Sequence, residues 1–405
     1  MAVGSFDWPG VKAINGVRLA AVSAGVKHSD RLDMALIEIC EGASVSGVFT
    51  QNAFCAEPIK ICREHLAQAK PRYLLINSGN ANACTGEPGR AAALQTCQAV
   101  ADAAGVQLNQ VLPFSTGVIG EVLPASKLID ATPAACQALD QDAWHDAAKA
   151  IMTTDTRAKG LSVRLELDGV PITLSGIAKG SGMIKPNMGT MLAYVATDAA
   201  IEQALLDTIV LNAANKSFNR ITVDGDTSTN DALILMATAK AENPTVLAGS
   251  DTALKLEQTV SDLCQALAKE MVRDAEGATK CVQVDVLGGN TAQESIDVAY
   301  AICHSPLIKT ALFACDPNWG RIVAAIGYAG LKDLDVSRVK VWLDNELIVE
   351  NGGRAESYTE EAGQVVFDKA EFSIRVELAR GSCNETLWTS DLSHDYVRIN
   401  AEYRS

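Results

Sequence analysis

Short apolar runs closed by turn residues alternate with long helix-patterned stretches along this chain, and that alternation restricts it to layers of helix and sheet. Tyr73-Leu74-Leu75-Ile76-Asn77, stopped by Ser78-Gly79, reads as a buried strand. Val163 to Ile177 reads as two strands joined at Asp168-Gly169, a hairpin dipeptide. Ala91 to Ala104 is Ala-rich, helix-patterned and followed by Gly105. Ala199 to Ala214 and Asp251 to Arg273 read as helices. Cys281 to Leu287 and Phe372 to Leu378 alternate apolar and polar residues as half-buried strands do, and Val339 to Val349 reads as a hairpin turning near Asn345. The expected fold class is α/β, with α+β layering.

Composition narrows the function. The 405 residues are 48% hydrophobic and 20% charged, enough apolar material for a sizeable core. A net charge of −15 disfavours nucleic acid and anionic membranes as partners. The 11 cysteines are odd in number and show no C-x-x-C pair, which suits reduced thiols and a cytoplasmic protein. No stretch approaches the ~18 uninterrupted apolar residues of a membrane helix.

The segment Lys179 to Asp198 carries the chemistry. Its first half is small and flexible, with glycines at 180, 182 and 189; its second half, Met191 to Val195, is apolar. From spacing alone this is a glycine-rich loop entering a strand at Thr190. Lys179-Gly180-Ser181-Gly182 lacks the residue order of a phosphate loop, and no G-x-S-x-G serine elbow occurs there.

The run Lys179 to Leu192 resembles the hallmark of the ornithine acetyltransferase, glutamate N-acetyltransferase or ArgJ family, with Gly189 where that family usually carries Ala. The resemblance extends over Asn77–Gly86, Pro113–Gly120, Met152–Thr156, Thr222–Asp231, Val272–Asp274, Glu276–Lys280, Asp316–Asn318 and Asp391–Ser405. It implies an ArgJ/DmpA-like N-terminal-nucleophile-type fold. It also implies scission before Thr190, giving an α chain of 1–189 and a β chain of 190–405 that form one body, and an (αβ)₂ assembly.

Chemistry explains why such a family needs scission. An internal threonine hydroxyl is a weak nucleophile with no base of its own. Cutting the Gly189–Thr190 bond frees an α-amine on the same residue, and an α-amine titrates near 7.7–8.0, close to the pH at which a base works best. Gly189 has no side chain to obstruct attack on its carbonyl. Both scission and acyl transfer pass through an oxyanion, for which the resemblance implies Thr116 and Gly117 as donors; read alone, Ser115-Thr116-Gly117 is a turn.

The resemblance further implies Thr153, Lys179, Thr190, Glu276, Asn400 and Ser405 as substrate contacts. Lys179 suits a carboxylate, Glu276 an ammonium, and Asn400 both donates and accepts; by residue type alone, Lys179 and Glu276 fit solvated surface charges equally. In the C-terminal tail, Val397, Ile399, Ala401 and Tyr403 alternate with polar residues, a period of two that suggests a docked strand.

The implied activity is an acetyltransferase of arginine biosynthesis. Acetyl passes from N-acetylornithine to Thr190 and then to glutamate, without a diffusible cofactor. Whether acetyl-CoA also serves as donor stays open. Two alternatives stand beside it: an aminopeptidase or amidase using the same threonine with water as acceptor, and an uncleaved metabolite-binding protein. The acidic residues Asp224, Asp226 and Asp231 do not follow an EF-hand pattern and read better as a polar loop supporting Thr190 than as a cation site. The five histidines lack metal-ligand spacing, so no metal is expected. Cys84 reads as a small buried thiol.

Overall fold

The computed structural model describes residues 2–5, 7–185 and 191–402. Gly189, Thr190 and Ser405 therefore lie outside the described residues. The chain packs as two units. The first comprises Phe6–Asn219 and Asp226–Met271; the second comprises Met1–Ser5, Arg220–Gly225 and Val272–Ser405. The expected division at 189/190 is one of peptide scission, a covalent event that packing does not address.

The first unit opens with β1 (Val17–Val22), β2 (Met34–Ile39), β3 (Ser44–Phe49), α1 (Glu57–Gln68), β4 (Tyr73–Asn77), α2 (Gly86–Ala104), β5 (Val111–Ser115), α3 (Ala125–Gln137) and α4 (Trp144–Ala150). The hairpin β6 (Lys159–Leu167) and β7 (Val170–Lys179) follows, then β8 (Leu192–Thr197) and α5 (Gln203–Lys216). After β9 (Ile221–Thr222), which belongs to the second unit, come β10 (Ala232–Ala237) and α6 (Asp251–Arg273).

These strands form two sheets, β1-β2-β4-β5 and β3-β10-β8-β7-β6. Period-two alternation decides which residues meet. Ile37, Ile39, Leu74, Ile76, Leu112 and Phe114 of the first sheet share a core with Ile177, Leu192, Tyr194, Ile234 and Met236 of the second. Phe114 and Tyr194 meet edge to face across it, with ring centroids 5.3 Å apart. The opposite face, from Met34, Leu36, Tyr73, Leu75 and Val111, packs on Cys97, Val100 and Ala101 of α2 and Leu128 of α3. β8 and β10 are parallel neighbours and buried at every position, so both read as unbroken apolar runs.

The β6–β7 hairpin turns at Asp168 (φ 50°) and Gly169 (φ 81°), the two left-handed positions that a type I′ turn demands. Helix α5 starts at Gln203 and not at Ala199. The intervening backbone is used elsewhere: the Ala200 N–H donates to Asn243 Oδ1 and its carbonyl accepts the Val246 N–H.

The second unit adds β11 (Cys281–Gly289), α7 (Ala292–Cys303), α8 (Pro306–Phe313), α9 (Trp319–Tyr328), β12 (Lys340–Leu343), β13 (Glu346–Glu350), β14 (Gly353–Arg354), α10 (Glu360–Phe367), β15 (Glu371–Glu377), β16 (Cys383–Ser390) and α11 (His394–Ala401). Its seven strands run in the order β14-β13-β12-β15-β11-β16-β9. Val282, Val284 and Val286 of β11 and Ile374 and Val376 of β15 pack against Val298 and Ile302 of α7, Leu312 of α8 and Ile322 and Ile326 of α9. The mixed α/β class expected from the alternation is what the chain adopts.

The tail departs from expectation. Residues 394–401 form helix α11, not a docked strand. Ser393 decides it: its hydroxyl accepts the Tyr396 N–H and donates to the Gly277 carbonyl at 2.7 Å, a helix N-cap tied to the preceding loop. The apolar alternation carries no burial there, since Val397 is 62% exposed. Among the described residues, no helix is long and apolar enough to cross a membrane.

Candidate active site

In the first unit, β4 and β5 run parallel and end level, so the loops after Asn77 and Ser115 lie side by side. The Thr116 N–H donates to the Asn77 carbonyl, and the Val118 N–H to the Gly79 carbonyl. Gly117 sits between them at φ +136°, and a Cβ there would fall 2.3 Å from the Gly79 carbonyl carbon. Only glycine fits that approach. The Gly117 N–H donates to nothing among the described residues.

Lys179 ends β7, and in the antiparallel hairpin that end lies beside Lys159, the first residue of β6. Both lysines are buried. Asp155 lies between them: its Oδ1 accepts from Lys159 Nζ at 2.6 Å and from the Gly180 N–H at 2.8 Å, and its Oδ2 from the Thr153 N–H at 3.1 Å. Burial by itself would raise the Asp155 carboxyl; the charges of Lys159 and Lys179 and its hydrogen bonds win and hold it well below the usual carboxylate range. Lys179 Nζ donates to Thr116 Oγ1 at 3.2 Å. An ammonium only donates, so Thr116 is the acceptor in that bond and its own O–H hydrogen stays available for another acceptor. Thr116 and Gly117 are therefore two adjacent donors, a hydroxyl and a peptide N–H, as an oxyanion requires.

The loop before β10 reaches this region through Asn230 and Asp231. Asn230 Nδ2 donates to the Ala81 carbonyl at 2.6 Å and to the Ser115 carbonyl at 2.9 Å. Asp231 is fully buried, and its Oδ1 accepts the Met191 N–H at 2.6 Å. Its Oδ2 has no hydrogen-bond partner among the described residues. Burial pushes the Asp231 carboxyl well above its ordinary value, outweighing the Met191 N–H and the more distant charge of Lys179. Among the described residues no three His, Cys, Asp or Glu side chains gather as a metal site would need.

In the second unit, Asn400 Nδ2 donates to Glu276 Oε2 at 2.7 Å. Asp391 fixes the Glu276 loop by accepting the N–H groups of Thr279 and Lys280 and the Thr279 hydroxyl. Tyr396 on α11 donates its hydroxyl to Asp224.

Lys179 and Glu276, at 3% and 8% exposure, are not solvated surface charges. Within the first unit Thr116, Gly117, Lys179 and, through Asp155, Thr153 come together; within the second, Glu276 and Asn400 do. Cys84, expected to be buried, lies in a left-handed turn (φ 57°) ahead of α2 and is exposed. Sequence reasoning gave no role to Lys159 or Asn230, and named Asp155 only as part of a motif. Lys159 carries no signature in the chain, because its partnership with Asp155 depends on where the β6–β7 hairpin begins.

Residues 18–405 match the profile of the ArgJ family. The arginine biosynthesis bifunctional protein ArgJ of Pseudomonas syringae pathovar tomato is 53% identical over 406 residues, covering 100% of both chains. The protein of that description from Pseudomonas fluorescens is also 53% identical over 406 residues, with 100% of both chains covered. Among solved structures, the arginine biosynthesis bifunctional protein of Bacillus halodurans is 38% identical at a TM-score of 0.49, covering 50% of this chain and 95% of that one. The ornithine acetyltransferase of Mycobacterium tuberculosis, complexed with ornithine, is 34% identical at a TM-score of 0.39, covering 44% of this chain and 94% of that one. With the profile matched across nearly the whole sequence and a 53% identical relative covering all of it, this chain belongs to the ArgJ family.

Proposed function

We propose that this ArgJ-family enzyme of arginine biosynthesis cuts its own chain before Thr190 and uses the freed threonine to carry acetyl from N-acetylornithine to glutamate. The observation that carries this reading is the 53% identity over the full length of arginine biosynthesis bifunctional proteins. In the proposed cycle Thr190 Oγ attacks the acetyl carbonyl while its own α-amine takes the hydroxyl proton. The oxyanion that forms is met by the Thr116 hydroxyl and the Gly117 N–H, and its collapse expels ornithine. Glutamate's α-amine then attacks acetyl-Thr190, releasing N-acetylglutamate and regenerating the threonine. Scission uses the same hydroxyl on the Gly189 carbonyl, followed by hydrolysis of the ester.

In this reading Lys179 supplies positive charge for a substrate carboxylate, with Thr153 beside it, while Glu276 and Asn400 recognise an ammonium; Ser405 completes the set. The partners are small molecules, the active form is (αβ)₂, and the reaction runs in the cytoplasm without a bound cofactor. The bifunctional description of the relatives supports acetyl-CoA as a second donor. What supports the oxyanion assignment is the Gly117 N–H, which has no partner among the described residues, beside a Thr116 hydroxyl whose acceptor side is taken by Lys179.

Parallel incubations of glutamate with N-acetylornithine and with acetyl-CoA test the proposal. N-acetylglutamate is expected in both. Acetate formed at the same rate with and without glutamate would make the enzyme a hydrolase, and an intact 405-residue chain with full activity would remove scission from the mechanism.

A further inference from the structure

Two adjacent residues reach the two halves of the proposed chemistry: Asp231, read from the sequence only as part of a polar loop supporting Thr190, and Asn230, which has been given no role. Asn230 donates through Nδ2 to the carbonyl of Ser115, the residue before Thr116, and also to that of Ala81 in the neighbouring loop. Asp231 holds the N–H of Met191, the residue after Thr190, on Oδ1. The backbone completes the clamp: the Ala232 N–H donates to the Met191 carbonyl at 3.0 Å, so both polar groups of the Met191 backbone are engaged by consecutive residues. Asp231 itself is seated by its own carbonyl, which accepts the Thr50 N–H at 3.1 Å.

We propose that Asn230-Asp231 is a positioning brace that sets the spacing between the Thr190 nucleophile and the Thr116–Gly117 donors. Asn230 ties down the β5 end; Asp231 ties down the start of β8. The two residues share a peptide bond, so the two attachment points cannot drift apart independently. A carboxyl oxygen is needed at 231 because the N–H of Met191, the residue just before β8, has to be accepted inside the protein, where an orphaned donor is costly. The brace acts through Met191 and the end of β5, as positioning residues. It rests on the reading of Thr190 as the nucleophile.

The test measures scission half-time, kcat and KM for Asn230→Ala, Asp231→Ala, the double variant and Asp231→Asn, using N-acetylornithine and glutamate. Losing the spacing by about an ångström costs on the order of a hundredfold in rate, so each single variant is expected to lower kcat by about that factor at unchanged KM. Either break releases the brace, so the double variant is expected to lose far less than the product of the single losses. Asp231→Asn keeps an oxygen for the Met191 N–H and is expected to recover most of the scission rate and of kcat, with the acid limb of the pH profile unmoved. Should Asp231→Ala fail to fold, Asp231→Leu keeps the volume without the acceptor and takes its place. Multiplicative losses overturn the brace. So does a raised KM with kcat retained, an Asp231→Asn as slow as Asp231→Ala, or full rates in Asp231→Ala. N-terminal sequencing of the unsubstituted protein separates the two levels: no chain beginning Thr-Met-Leu-Ala overturns the Thr190 reading and the brace with it, whereas normal scission with unaffected variants overturns the brace alone.

Discussion

Asp155 and Asp231 are both buried carboxyls of the first unit, and the protein drives them in opposite directions. Burial raises each of them. At Asp155 two lysines, brought together by the β6–β7 hairpin, reverse the effect; at Asp231 a peptide N–H is the main counterweight and burial wins. One residue type at similar depth becomes an anionic hub in one loop and a neutral-leaning backbone anchor in the next. The deciding factor is whether an ammonium lies within contact.

The largest effect expected is on the hub. Asp155→Ala removes the carboxylate that pairs with Lys159, a side chain with no exposed surface. Breaking such a pair costs about 3–5 kcal/mol, which urea or guanidinium denaturation would report. A loss no greater than that of a surface substitution would mean that Asp155 is not held as a buried anion. Next comes the bond from the hub into the proposed oxyanion site. Thr116→Ala is expected to lower turnover about a hundredfold or more, some 2.7–4 kcal/mol in the barrier, with KM little changed; a normal kcat would leave the Lys179–Thr116 bond a structural contact only.

The sign of the pH dependence sharpens the contrast. Asp155 is depressed in the fold, so its stabilising contribution is present above the unfolded carboxyl value of about 3.9 and is lost as pH falls through the folded value. Asp231 is raised, so its contribution is present below about 3.9 and is lost as pH rises through its folded value. Asp155→Asn should therefore flatten the acid side of a stability–pH curve, and Asp231→Asn should remove a decline toward neutral pH. Identical curves for the two variants would erase the distinction. The smallest effect is expected for a third buried carboxyl, Glu276 of the second unit, whose described partner is the neutral and exposed Asn400. Asn400→Ala should cost only about 0.5–1.5 kcal/mol in denaturation, and a loss as large as that of Asp155→Ala would mean that an ammonium is not what sets the scale.

Much of the fold was legible because period and punctuation are local. The buried run Tyr73–Asn77, the Asp168-Gly169 turn and the span of α6 all follow from neighbours in sequence. The tail misled for a related reason: alternating apolar residues mark a strand only when one face is buried, and Val397 is exposed while Ser393 caps a helix. Within the site, the hallmark at Lys179–Leu192 and the glycine at 117 were readable, but the hub and the brace were not. Asp155 and Lys159 are four residues apart, but Lys179 joins them only because β6 and β7 pair, and Asp231 meets Met191 only because β8 and β10 run parallel.

By itself the sequence determined the alternation of elements, the family, and the residues whose types suit acyl transfer, because each is a matter of residue identity or short spacing. Tertiary structure alone decided which charges are buried together, which N–H has no partner among the described residues and which carboxyl stays protonated more readily. Those depend on solvent exclusion and on contacts between strands tens of residues apart, and no local pattern encodes them.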